Sequence, residues 1–170
     1  MLKCFKILLL SLTFLLLPIM SAHADILQAP KGKVLLTITG NIKHTNAPGI
    51  AQFDREMLEA LGMKPLNTKT YWTNGLQRFE GISGKRLMQA VGVRAGQLHV
   101  RALDRYKAKI PVADLLHHRA TLALKQGGEY LTVATKGPLW LVYPLDNKQK
   151  LLKKQITSRS IWQLITIDVL

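Results

Sequence analysis

Thr132-Val-Ala-Thr-Lys-Gly-Pro-Leu-Trp-Leu-Val-Tyr-Pro144 is the stretch on which the reading of this chain turns. β-branched and aromatic residues bounded by Gly and Pro read as strands entering and leaving a turn. One strand is expected to include Val133 and Ala134, and a second to span residues 139–143. The second run is almost wholly apolar, which predicts a strand covered on both faces. The remaining elements are expected to pack around it.

Working outward toward the C-terminus, residues 145–154 read as a polar, basic connection and residues 161–169 as a closing strand. Upstream, residues 121–124, Gly127-Gly128 and residues 130–134 read as strand, tight turn and strand. In residues 97–103, Leu98, Val100 and Ala102 alternate with His99 and Arg101, the pattern of a half-buried strand. Asp104-Arg105-Tyr106 then turns into residues 107–110, and Pro111 can open a helical turn through Leu115 and Leu116. Two helices come earlier. Asp54 caps one that carries Met57, Leu58 and Leu61 inward and stops at Gly62; Ser83 caps another that carries Leu87, Met88 and Val91 and stops at Gly92. Residues 34–39 and 68–72 read as strands, and Asn74-Gly75 is a strong turn signal. Many short strands, few helices and no regular βαβ alternation give an α+β class.

Composition sets the boundaries. At 170 residues and 48% hydrophobic, the chain suits one domain with a proper core. Lys3 and Lys6, an apolar run over residues 7–20 and Ala22-His23-Ala24 have the order of a secretory leader. Residues 1–24 are thus expected to be a signal peptide, and residues 25–170 the domain. An uncleaved anchor is the alternative, but the run is short for a span of roughly 20 residues. Cys4, the single cysteine, lies in that leader, so the remainder offers no disulfide, thiolate metal site or cysteine nucleophile. Without the two leader lysines the net charge falls from +14 to +12. A periplasmic or secreted location turns that charge away from nucleic acid. It points instead toward an anionic surface, a small anionic ligand or an acidic protein partner such as the outer domain of a membrane sensor. The leader is the expected membrane contact.

Few constellations carry chemistry. Asp114, His117 and His118 have a spacing that can share a helical face, but zinc needs three or four convergent ligands, and only His44 and His99 remain outside the leader. Ser83, Ser158 and Ser160 coexist with histidines without a Gly-x-Ser-x-Gly elbow. GxGxxG and P-loop motifs are missing. Lys148, Lys150, Lys153, Lys154 and Arg159 read as a solvated face or a docking patch. Arg78, Lys85, Arg86, Arg101, Arg105 and Lys136 sit near expected turns or helix starts, where backbone amides can help hold an anion. Phe79, Trp140 and Trp162 read as core, whereas Trp72 and Tyr106, next to turns, can line a cleft. The candidate ligand-binding residues are therefore Trp72, Arg78, Arg105, Tyr106 and Lys136.

Five segments together resemble the molybdopterin-binding domain of sulfite-oxidase-type oxidoreductases: Phe79-Glu-Gly-Ile82, Val100-Arg-Ala-Leu-Asp-Arg-Tyr106, Leu122-Ala-Leu-Lys-Gln-Gly-Gly-Glu-Tyr-Leu131, Gly137-Pro-Leu-Trp-Leu-Val-Tyr-Pro144 and Trp162-Gln-Leu-Ile-Thr-Ile-Asp-Val169. The resemblance covers residues 34–169 and implies a mixed α+β fold with a pterin cleft formed by loops at one end of its sheets. Catalytic members hold molybdenum through a cysteine thiolate in the loop that corresponds to residues 66–78, where this chain has none. The histidine that often precedes Gly-Pro is Lys136 here. Thr68, Thr70 and Thr73 present neutral oxygens in place of a soft anionic sulfur. The resemblance with these departures implies a scaffold without its oxygen-transfer centre and most simply without cofactor, molybdopterin remaining possible. The alternative is an oxidoreductase that keeps a molybdenum pterin without a cysteine ligand.

Overall fold

The computed structural model describes residues 27–145 and 150–170, the latter without the side chains of 150–153. The alternation over residues 97–102 does what its period demands. Leu98, Val100 and Ala102 are buried, and His99 and Arg101 are more exposed, in β5 (Gln97–Ala102). β5 lies between two antiparallel neighbours, β6 (Lys107–Pro111) and β10 (Leu164–Val169). β10 in turn runs parallel to β1 (Leu36–Gly40), with Thr37 opposite Thr166 and Gly40 opposite Val169, and β2 (Ala51–Phe53) pairs on the far side of β1. The first sheet therefore has the order β2-β1-β10-β5-β6, which joins the two ends of the described chain in one layer.

The second sheet is built from β3 (Lys64–Thr68), β4 (Gln77–Ser83), β7 (Thr121–Gln126) and β8 (Glu129–Tyr130). β9 (Trp140–Val142) adds to β7 through Thr121↔Val142 and Ala123↔Trp140. All three β9 residues are buried, as their apolar run predicts. β4 and β7 approach so closely beside a bulge at Glu80/Gly81 that a side chain on Gly81 would stand 2.1 Å from the Leu122 carbonyl oxygen. Among the described residues these ten strands accompany four short helices, a mixed α+β fold in a single small domain.

The helices are α1 (Arg55–Ala60), α2 (Gly84–Ala90), α3 (Val112–His117) and α4 (Lys150–Arg159). Ser83 caps α2 by accepting from the Arg86 N–H, and Gly62 and Gly92 take positive φ after the first two helices, as expected. A large core runs between the sheets and includes Leu36, Phe53, Leu58, Met88, Val100 and Leu164. A smaller one groups Leu66, Phe79, Ala123, Leu131, Trp140 and Val142, with Trp72 and Trp162 packed against it.

Several expectations change. Val133 and Ala134 belong to a single 3-10 turn (Val133–Thr135), not to a strand, because Thr132 and Thr135 bond each other's backbone and side chains. The strand placed at 68–72 lies earlier, at β3. Beyond Thr68 the Thr70 hydroxyl bonds the Thr73 hydroxyl at 2.8 Å and the Trp72 N–H, which closes a turn instead. The expected polar connection gives way to α4 from Lys150 onward. The closing strand begins only after Gln163, which takes a positive φ of 52°. Residues 1–24 and Lys148 lie outside the described residues, as do the side chains of Lys150 and Lys153. No helix among the described residues is long and apolar enough to cross a membrane.

Asp54 does more than cap α1. One carboxylate oxygen accepts from the Met57 N–H at 2.9 Å, and the other from Lys31 and Gly32 at 2.7 and 2.8 Å. Those bonds, the Met57 one foremost, hold its pKa below the ordinary 3.8. The unfolded chain thus takes up this proton first, and the contribution to stability is full above pH 3.8 and disappears as pH falls through the lowered native value. Asp54→Ala is expected to cost about 2 kcal/mol in urea unfolding at neutral pH. The gap between wild type and Asp54→Asn should narrow as the pH is taken down through the acid limb.

Candidate ligand cavity

Three segments meet at one opening. The β3–β4 loop contributes Tyr71 and Trp72, the β5–β6 turn contributes Asp104 and Tyr106, and the C-terminal part of α4 with the segment after it contributes Lys154, Thr157, Ser158, Ser160, Ile161 and Trp162. They enclose a cavity of about 800 Å³ with mainly apolar walls. That volume falls in the ordinary range for small-molecule sites. Two other cavities, one beside α1 and one beside Gly92, are smaller and more polar.

The back wall is aromatic. All three tryptophans of the chain stand together, with ring centroids 5.2 Å apart for Trp72–Trp162, 6.2 Å for Trp72–Trp140 and 6.4 Å for Trp140–Trp162, each pair edge to face. Phe79 backs Trp140 from beneath at 5.2 Å. Such contacts stabilise beyond the area they bury and fix ring orientation. Trp140 and Phe79 are core residues, as expected. Trp162, also expected in the core, is only half-buried and forms part of the cavity wall.

The opening is set by hydrogen bonds between turns. The Gln163 N–H donates to the Lys136 carbonyl at 2.9 Å, and the Leu103 N–H donates to the Gln163 carbonyl at 2.9 Å. The Gln163 side-chain amide donates to the Val133 carbonyl. Tyr106 donates its hydroxyl to the Ser158 carbonyl at 3.3 Å, while its N–H is held by the Asp104 carboxylate. Arg105, Lys136 and Gln163 all take positive φ, conformations that disfavour side-chain-bearing residues and concentrate at functional sites.

α4 is anchored by Arg159, which donates to the largely buried Asp114 carboxylate of α3 at 2.8 Å. The solvated role expected for Arg159 is therefore replaced by an ion pair, and Asp114 is taken from the His117/His118 grouping. The described residues contain no cluster of His, Cys, Asp or Glu able to hold a metal. Tyr143 lies in the same buried region. Burial first, and the Asp114 charge second, push its phenol well above the usual range, so it stays protonated.

Of the sequence-predicted ligand residues, Trp72 and Tyr106 line the cavity. Arg105 sits in the turn between Asp104 and Tyr106, and Lys136 places its ammonium 5.5 Å from the Trp140 ring centre. Neither reaches the lining. Arg78 lies on β4 and pairs with Glu80 at 3.3 Å. The six cations considered together do not form one pocket: Arg86 bonds the Leu61 carbonyl and Arg101 the Thr166 hydroxyl. Sequence reasoning missed the α4 wall. Its signal was present in Leu152 and Ile156 at i, i+4 and in the absence of Gly and Pro between residues 145 and 170.

Residues 53–154 match the family model described as oxidoreductase molybdopterin binding domain. No curated protein matches the chain. The matched span holds the β3–β4 loop, the β5–β6 turn, β9 and the start of α4, so five of the ten residues that line the cavity fall within it. Asp114→Ala should destabilise the protein by roughly 2 kcal/mol, since it leaves Arg159 without its partner in a half-buried place. A double-mutant cycle with Arg159→Met, read by urea unfolding, is expected to return a coupling of about 1 kcal/mol or more.

Proposed function

This chain belongs to the oxidoreductase molybdopterin-binding domain family, and within it we propose an exported binding module that holds a small, flat, anionic ligand rather than catalysing oxygen transfer. The observation that carries this reading is an aromatic cavity of about 800 Å³ beside a loop that contains no thiol. The flat organic part of a pterin cofactor fits such walls: Trp72, Trp162 and Tyr106 would face its rings, and Lys154 would meet an anionic tail. The metal does not fit as catalytic members hold it. Residues 66–78 include no cysteine, and threonine oxygens are poor replacements for a soft thiolate. No reaction step is therefore assigned to this chain.

The same walls suit any planar heteroaromatic anion of that size, because edge and face contacts with tryptophan do not depend on one hydrogen-bond pattern. Export is supported by the leader-like order of charges and apolar residues in the first 24 positions. Arg105 and Lys136, on turns beside the opening, add to the positive field that would draw an anion inward.

Titration of the purified protein with a soluble pterin should quench tryptophan fluorescence, since Trp72 and Trp162 line the cavity and Trp140 packs against both. Trp72→Ala and Trp162→Ala are each expected to weaken binding by about tenfold. Material produced in a host that makes the cofactor should contain no stoichiometric molybdenum by elemental analysis. Stoichiometric metal together with turnover of an oxyanion would overturn the reading in favour of an oxidoreductase whose metal is held by the pterin alone.

A further inference from the structure

The rim of the cavity differs from its walls. Among the described residues, seven large apolar side chains are conspicuously exposed, and five of them come from the segments around this opening. Tyr71 and Leu76 lie on the β3–β4 loop, Leu103 and Tyr106 on the β5–β6 turn, and Val133 on the 3-10 turn tied to Gln163. They leave between 49% and 64% of their surface exposed. None belongs to either core cluster. Scattered apolar residues are ordinary on a protein surface, but a group rimming one concave opening marks an interaction face.

Charge accompanies them. Lys69, Arg105, Lys107 and Lys154 are exposed on the same segments, and none is ion-paired among the described residues. The acid here is Asp104, whose carboxylate is occupied by the Tyr106 N–H. Four of the other described acids are engaged elsewhere: Asp54 on α1, Glu80 with Arg78, Asp114 with Arg159 and Asp168 with Thr39. The rim thus presents tyrosines and aliphatic residues on separate loop tips, interleaved with unpaired cations on long stems.

We propose that this rim docks on a bilayer surface that carries anionic phospholipid headgroups. Tyrosine places its ring at the headgroup level and its hydroxyl toward water, Leu76, Leu103 and Val133 reach the acyl boundary, and the cations meet the lipid phosphates. Separate protruding tips around an open mouth suit a deformable surface better than a rigid acidic protein, which needs a continuous complementary face. Each cation near an anionic leaflet adds to binding, and salt screens it. The docked cavity would open toward the membrane.

Cosedimentation with phosphatidylcholine vesicles, with and without phosphatidylglycerol, tests this using protein from the soluble exported fraction. Any leader segment is common to every variant, so differences between variants report on the rim. Binding is expected only with the anionic lipid and should fade with added salt. A Leu76→Glu/Leu103→Glu variant and a Lys69→Glu/Lys107→Glu variant should each bind about tenfold more weakly. Both should keep the near-ultraviolet circular dichroism of the tryptophan cluster and the pterin quench, because none of the four positions lines the cavity. Failure to bind anionic vesicles, equal binding to neutral ones, or binding that both variants retain would overturn the proposal. Capture of an acidic protein through this rim without vesicle binding would overturn it as well. A missing pterin quench with intact vesicle binding would count against the ligand reading alone.

Discussion

The three residues of β9 hold the two sheets to each other. On one edge they pair with β7, in the register Thr121↔Val142 to Ala123↔Trp140. On the other side the Leu141 N–H donates to the Ile161 carbonyl at 2.8 Å, and the Leu164 N–H donates to the Leu139 carbonyl at 3.0 Å. The segment bonded there leads directly into β10, the centre of the first sheet. A single buried strand therefore satisfies its backbone groups from both layers at once. Unpaired backbone polar groups in such a place would cost as much as lost hydrogen bonds, so the layers cannot separate without exposing β9. Wholly apolar side chains on it are the consequence of having protein on every side.

That arrangement explains where the cavity lies. Trp140 starts β9, and Trp162 lies in the bend just after the residue bonded to it, so the link between the sheets also sets two indoles at a right angle. Trp72 completes the group from a loop whose threonines fold it back. The loop beside the cavity, residues 66–78, contains no cysteine.

The sequence was most legible where burial dictated the residue type. Leu98-Val100-Ala102 and residues 139–143 announce their strands, and Asp54 and Ser83 announce their helices, because in each case local chemistry and packing agree. It was least legible where side chains compete with the backbone. Thr132 with Thr135, and Thr70 with Thr73, bend segments whose composition reads as strand. β3 hides for another reason. It is an edge strand that carries Pro65 and a polar outer face, with only Leu66 and Thr68 buried. α4 hides because polar and basic residues outnumber the apolar ones in its sequence, although Ile156 within it is fully buried. The cavity was glimpsed through Trp72 and Tyr106, which flank turns. Its α4 wall depends on an ion pair between residues 45 positions apart, and no local pattern reports that.

Arg105, Lys136 and Gln163 carry a further consequence. Each occupies a backbone region that glycine enters freely and other residues enter at a cost on the order of 1 kcal/mol. The three turns are also joined to one another through Gln163. Directed evolution for heat resistance alone would drift toward glycine at these positions. It would yield a hardier protein with a smoother, less charged doorway.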